Sequence, residues 1–84
     1  MTLSTKQHEL IDELLGIIRT RFPDTALLSM HKSPESDNDI WVNVGIPDDD
    51  TFIAIGELVS MRENEMLLET GYKITIMPNV LQYA

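Results

Sequence analysis

The sequence predicts an α+β fold: a two-layer α-β-β-α-β domain in which two helices lie on one face of a three-stranded mixed sheet. Apolar residues recur at helical spacing in two long segments, one before residue 22 and one, less regular, after residue 48. Three shorter segments show the apolar-polar alternation of half-buried strands. Proline, glycine and short polar runs separate the segments, as is typical of turns.

The first helix is predicted to begin at Ser4, because Ser4 followed three residues later by Gln7 forms a capping box. One face of this helix carries the apolar residues Leu10, Ile11, Leu14, Ile17 and Ile18. Pro23 disfavours helical backbone at Phe22, so the helix ends there.

Two strands are predicted next, over residues 25–31 and 40–46. The polar run between them is too short for a crossover helix, so the strands form an antiparallel hairpin. Alternation in the first strand places Ala26, Leu28 and Met30 on one face and Thr25, Leu27, Ser29 and His31 on the other. In the second strand the core face carries Ile40, Val42, Val44 and Ile46, and the opposite face carries Trp41, Asn43 and Gly45.

The second helix is predicted to begin at Asp48 or Asp49, where carboxylates suit both the N-cap and the helix dipole. It is predicted to end at Thr70, with Gly71 as the left-handed residue that follows a helix. The polar run at residues 62–65 interrupts the apolar positions and predicts a bend or a short break.

Strand three is predicted over residues 72–77, closed by Pro78, and parallel to strand two through a right-handed crossover. With both helices on one side, the other face of the sheet stays uncovered. An uncovered face in a thin domain favours contact with a ligand or a partner. This face is predicted to carry Leu27, Ser29, His31, Trp41, Asn43, Lys73, Thr75 and Met77. Within it, the predicted interface residues are Trp41 and Leu27 at the centre, with Asn43 and Met77.

Length and charge restrict the classes of function. The 84 residues predict one domain, residues 1–84, with a thin core. The chain has no cysteine, so disulfide bonds cannot stabilise that core. Formation of a homodimer would bury additional apolar surface and so stabilise such a domain. A net charge of −8 argues against binding nucleic acid or an anionic membrane surface. The sequence shows no signal peptide and no apolar run long enough to span a bilayer, so we expect a cytoplasmic protein.

Two carboxylates precede the second strand. Asp37 and Asp39 point to the same face if the backbone is extended there, and it is the face of Trp41. Paired carboxylates of this kind hold Mg²⁺ together with substrate phosphates. The competing interpretation is that Asp and Asn are common in turns.

Several segments resemble the minimal nucleotidyltransferase family, small antitoxin-like domains of the polymerase-β superfold. They are residues 10–15, residues 21–23, the stretch Ser36-Asp37-Asn38-Asp39-Ile40-Trp41-Val42, and residues 71–81. The resemblance implies that Asp37 and Asp39 match the D-x-D metal ligands of the family. It also implies a third carboxylate on the last strand, where this chain has Thr75.

The same resemblance implies a Gly-Ser pair that grips nucleotide phosphates, but residues 29–33 read Ser-Met-His-Lys-Ser. Without that pair and the third carboxylate, the resemblance implies a degenerate relative that does not catalyse nucleotidyl transfer. We therefore predict no catalytic residues and no cofactor. The leading hypothesis is binding of a protein partner or self-pairing through the uncovered face, and the alternative is residual nucleotide or Mg²⁺ binding. An RNA-binding module of KH type is disfavoured by the charge and by the absence of a G-x-x-G loop.

Overall fold

The computed structural model describes residues 3–81, except for the side chain of Asp37. Its elements are α1 (Thr5–Arg21), β1 (Ala26–Ser33), β2 (Ser36–Ile46), α2 (Asp49–Thr70) and β3 (Lys73–Val80). The strands form one sheet in the order β1-β2-β3, with β1 antiparallel and β3 parallel to the central β2. The predicted α+β fold, the hairpin and the parallel crossover are confirmed.

The core lies between the two helices and one face of the sheet. Along β2 the helix-facing residues are Ile40, Val42, Val44 and Ile46, and all four are fully buried. They join a single cluster with buried residues of β3 (Ile74, Ile76), of α1 (Leu10, Ile11, Leu14, Leu15, Ile18) and of α2 (Ile55, Val59, Met66). Because both helices bury their apolar sides here, the opposite face of the sheet has neither helix against it.

The helix ends follow the predicted capping chemistry. The Gln7 N–H donates to Ser4 Oγ at 3.1 Å, and the Ser4 N–H donates to Gln7 Oε1 at 2.9 Å, which completes the capping box. At α2, Asp48 Oδ1 accepts the Thr51 N–H at 2.8 Å. Gly71 follows α2 with a φ of 78°, the left-handed backbone that favours glycine.

The hairpin is tighter than predicted, because β2 begins at Ser36 rather than at residue 40. Ser33 pairs with Ser36, so only Pro34 and Glu35 form the turn. The acidic run that suggested a turn is therefore extended backbone, and Asp39 already pairs with Lys73 of β3. Turn-forming residue types mislead here because pairing with neighbouring strands overrides their local preference.

Pro78 was predicted to close the last strand, and this is wrong, since β3 continues to Val80. The Ile76 N–H donates to Glu63 on α2, so it points away from β2 toward the outer edge of the sheet. Successive residues of a strand turn their N–H groups to alternate sides, so Pro78 also faces outward. Its missing N–H therefore costs the sheet no ladder hydrogen bond.

The polar run at residues 62–65 does not break α2, which is one continuous helix. Arg62 instead reaches α1, where its guanidinium forms an ion pair and two hydrogen bonds with the Glu13 carboxylate. Glu63 accepts the Ile76 N–H at 2.8 Å. Arg62 and Glu63 thus tie α2 to neighbouring elements, and the prediction of a break was wrong.

A register shift in β1 changes the face of Leu27. Leu27 pairs with Val44, but the next pair is Ser29 with Asn43, so Leu28 is an extra residue in a β-bulge. Val44 belongs to the helix-facing set, and directly opposed residues share a face. Leu27 is therefore on the helix side of an edge strand, and its predicted place at the centre of the uncovered face is wrong. Ser29 and His31 do lie on that face, opposite Asn43 and Trp41.

Candidate functional site: the open face of the sheet

The open face is the side of the sheet that lies away from both helices. Paired residues form rows across the strands: His31, Trp41 and Thr75 make one row, and Ser29, Asn43 and Met77 make the next. On one side these rows are flanked by Asp39 with Lys73, and on the other by Ala26, Gly45 and Asn79. Strand alternation and register alone bring these residues together.

A chain of hydrogen bonds crosses the open face. Asn43 Nδ2 donates to Ser29 Oγ at 3.1 Å, and Ser29 Oγ lies 3.1 Å from His31 Nε2. On the other side, Asn79 Nδ2 lies 3.4 Å from Asn43 Oδ1 and donates to the Met77 carbonyl at 2.8 Å. Asn43 therefore links side chains from all three strands, which holds the polar part of the face in one arrangement.

Two large apolar side chains stand beside this polar chain. Trp41 is 39% exposed and Met77 is 41% exposed. Trp41 occupies the central strand, with His31 and Thr75 as its register partners. An aromatic ring and a thioether exposed next to fixed polar groups resemble the composition of protein interfaces.

Leu81 limits the open face at one end. The Leu81 N–H donates to the Ile46 carbonyl at 2.8 Å, which extends the pairing of β3 with β2 by one residue. The side chain of Leu81 lies over Gly45, where an added Cβ would come within 2.9 Å of Leu81 Cδ1. Sequence reasoning missed this contact, although a glycine at an outward strand position is a signal of close approach.

The two candidate metal ligands, Asp37 and Asp39, lie near the start of β2. The side chain of Asp37 lies outside the described part, so its convergence with Asp39 stays a prediction. Asp39 is half-buried, and its Oδ1 atom is buried without a hydrogen-bond partner among the described residues. Its register partner on β3 is Lys73, and Thr75 lies opposite Trp41. The described residues contain no group of three or more side chains suited to holding a metal ion.

Two carboxylates where α2 meets its neighbours, Glu13 on α1 and Glu63 on α2, have altered pKa values, and sequence reasoning found neither. The Arg62 guanidinium lowers the pKa of Glu13 by hydrogen bonding to it. Burial raises the pKa of Glu63, and the hydrogen bond from the Ile76 N–H and the charge of Lys73 act in the opposite direction. Both groups lie away from the open face, and they connect α2 to α1 and to β3.

The fold and the site together define a small α+β domain with one face of its sheet left open. Comparison of the chain with protein-family models, with curated proteins and with solved structures found no match. The resemblance to minimal nucleotidyltransferases therefore stays a proposal. In residues 3–81, neither helix has the length and apolar character needed to cross a membrane.

Proposed function

We propose that this domain has no catalytic activity and binds a protein partner, or a second copy of itself, through the open face. The observation that carries the proposal is Trp41, an exposed aromatic residue in the middle of the central strand on a face that neither helix covers. Large side chains at such positions are the ones that contribute most to binding energy in interfaces.

The polar chain around Asn43 supports the same proposal. Its side chains are already hydrogen-bonded to one another, so they would lose little further conformational freedom when a partner covers them. A polar surround that excludes water from a central aromatic anchor is the usual arrangement of an interface hot spot. The open face thus combines an apolar anchor at Trp41 and Met77 with a preorganised polar neighbourhood.

Trp41 is the only tryptophan in the chain, so its fluorescence reports directly on the open face. If the face binds a second copy, its emission shifts to longer wavelength on dilution as the mass in solution falls. If the face binds another protein, partners cross-linked in cells are lost with Trp41→Ala. Phe52→Ala is the matched control, since Phe52 is an exposed aromatic residue on α2. An emission independent of concentration, together with identical cross-links in wild type and Trp41→Ala, would contradict the proposal.

A second candidate function is residual Mg²⁺ or nucleotide binding of the kind the resemblance implies, with Asp37 and Asp39 as ligands. One observation favours it: Asp39 Oδ1 is removed from water and has no hydrogen-bond partner among the described residues. A buried carboxylate oxygen without a partner is costly, and a bound cation would compensate that cost. Asp39 and Lys73 occupy paired register positions, so a phosphate group on that cation would also approach a basic residue.

Thermal unfolding with millimolar MgCl₂ and ATP tests this candidate. The wild type is expected to unfold at a higher temperature with both ligands, and Asp39→Asn is expected to lose the increase. Asp24→Asn is a suitable control, because Asp24 is an exposed aspartate outside β2. No ligand-dependent increase in the wild type, or an equal increase in all three proteins, would rule out this site.

A further inference from the structure

The backbone groups on the outer edges of the sheet can be assigned from the pairing. The Ile46 carbonyl accepts the N–H of Leu81, so the backbone of Ile46 points toward β3. Because backbone groups alternate along a strand, the N–H and C=O groups of Ile40, Val42 and Val44 also point toward β3. Those of Trp41 and Asn43 point toward β1. In an antiparallel pair, opposed residues either bond to each other or both point away. His31 and Ser29 therefore bond to β2, whereas Met30 and Lys32 turn their N–H and C=O groups to the free edge of β1.

The free edge of β3 is closed against further strands. Its outward-facing positions are Ile74, Ile76, Pro78 and Val80. The Ile76 N–H donates a hydrogen bond to the Glu63 carboxylate, and Pro78 has no N–H. With the two middle positions blocked, an added strand could not form a continuous ladder there.

Between its two register shifts, the free edge of β1 has no such protection from the residues that the structure describes. In residues 29–32 the pairing with β2 is regular, and no side chain of the described residues bonds to the outward backbone groups of Met30 or Lys32. Exposed strand edges of this kind are templates for pairing with another chain.

The charges along β1 allow a second copy of the chain to approach this edge. The chain carries a net charge of −8, so two copies repel each other over most of their surfaces. The eight residues of β1 contain no acidic side chain, and Lys32 is their one basic residue apart from His31. Two β1 strands can therefore approach each other without bringing carboxylates together at the pairing residues.

We propose that β1 pairs antiparallel with β1 of a second copy around a twofold axis at His31. This register alone uses both outward-facing positions of the regular stretch: Met30 of each copy pairs with Lys32 of the partner subunit. Each such pair exchanges two hydrogen bonds, and the symmetry gives two pairs. The product is a continuous six-stranded sheet. In it, Lys32 of one copy lies opposite Met30 of the partner subunit, so the two lysine residues are not directly opposed.

This assembly is independent of the open-face proposal, because it uses an edge of the sheet rather than a face. It nevertheless joins the two open faces side by side. His31 of each copy meets His31 of the partner subunit at the axis, and Trp41 lies one strand away on either side.

Cysteine cross-linking tests the register directly, because the chain contains no cysteine. In the proposed pairing the two copies of residue 31 form a non-hydrogen-bonded pair with Cα atoms about 4.5 Å apart, which is within the range of a disulfide. His31→Cys is expected to oxidise readily to a species of twice 9.5 kDa on a non-reducing gel. His8→Cys is the matched control, since His8 is an exposed histidine on α1, and it should cross-link only slowly.

A second measurement uses the mass in solution of variants in which a proline removes an outward-facing N–H, as Pro78 does in β3. Lys32→Pro removes an outward-facing N–H of β1 without removing a bond to β2, and is expected to convert the dimer into a monomer. Val80→Pro removes an outward-facing N–H of β3 and should leave the dimer intact. Circular dichroism spectra establish that both variants fold.

A wild-type mass of 9.5 kDa at every concentration, with no more cross-linking of His31→Cys than of His8→Cys, would overturn the edge proposal. So would a dimer that resists Lys32→Pro and dissociates in Trp41→Ala, and that result would support the open face instead. A dimer lost in Lys32→Pro and kept in Trp41→Ala would support the edge alone. A complex of β1 with a different protein, with the chain itself remaining a monomer, would also contradict the proposal.

Discussion

The two edges of the sheet differ in how their backbone groups are satisfied. At β3 the outward N–H of Ile76 is bonded to Glu63, and Pro78 removes the next donor. At β1 the outward groups of Met30 and Lys32 have no such partner among the described side chains. The difference teaches that the two edges of one small sheet are not equivalent, because only the edge of β3 has its middle positions blocked against an added strand.

The connections explain the difference. A parallel crossover requires α2 to lie against β3, so a long side chain on α2 can reach the outer edge of that strand. The hairpin that joins β1 to β2 has only Pro34 and Glu35 in its turn, and it brings no helix to the edge of β1. Topology therefore protects one edge and leaves the other exposed.

The largest expected effect comes from opening the β3 edge. The double variant Glu63→Val with Pro78→Val restores a full set of free N–H groups along β3. The chain then has two open edges, and β1 of one copy can pair with β3 of another without closing a ring. We expect large assemblies, detected as a steep rise in light scattering.

Pro78→Val alone is the control for that experiment, because Glu63 still accepts the hydrogen bond from the Ile76 N–H. It should scatter no more than the wild type. Equal scattering by the double variant and the wild type would show that Glu63 and Pro78 do not protect the edge.

Removal of the Glu63 carboxylate alone should lower stability. Glu63→Ala leaves the partly buried Ile76 N–H without its acceptor, and we expect the free energy of unfolding to fall by about 1 kcal/mol. Urea unfolding measures the change. Glu57→Ala, at an exposed position of the same helix, should change the free energy by less than about 0.5 kcal/mol.

The protonation state of Glu63 should make part of this stability depend on pH. Burial raises its pKa above the ordinary value of 4.5, so the folded protein holds this proton more tightly than the unfolded chain does. The contribution of this bound proton to the free energy of unfolding is fully present below pH 4.5, and it is lost as pH rises through the pKa of Glu63 in the folded state. Glu63→Gln keeps an acceptor oxygen but cannot ionise. The stability of the variant relative to the wild type should therefore increase as pH rises from 4.5 through the pKa of Glu63 in the folded state, and a difference that does not change with pH would contradict this assignment.

The smallest effect is local and concerns amide hydrogen exchange. In dilute solution, where copies are separated, the Ile76 amide should exchange more slowly than the Lys32 amide, because only Ile76 has a protein acceptor. Glu63→Ala should speed exchange at Ile76 and leave Lys32 unchanged. Raising the protein concentration should slow exchange at Lys32 alone, and a rate at Lys32 that is independent of concentration would argue against the β1 pairing.

The sequence predicted the elements that depend on local chemistry. Ser4 with Gln7 marked the start of α1, and Gly71 marked the end of α2, because capping involves residues close together in the chain. Strict alternation along β2 separated the core face from the face of Trp41, since a strand has only two sides.

The features that were missed depend on register and tertiary contact. The bulge at Leu28 moved Leu27 to the other side of the sheet, and no single-strand pattern reveals an extra residue in a pair. Pro78 reads as a strand end unless its outward direction is known. Glu63 appeared to weaken α2, although it contacts β3, and only the packed structure brings the two together.

The pairing of β2 with its two neighbours has a consequence for the order of folding. The β1–β2 hairpin joins residues that are adjacent in the chain, and hairpins of this kind form in about 1–10 μs. Pairing of Asp39 with Lys73 closes a loop that contains the whole of α2, and such non-local contacts form more slowly than local ones. A chain that closes the hairpin before α2 folds would leave the β3 side of its central strand unpaired for that time, and unpaired strand edges are sites of misassembly.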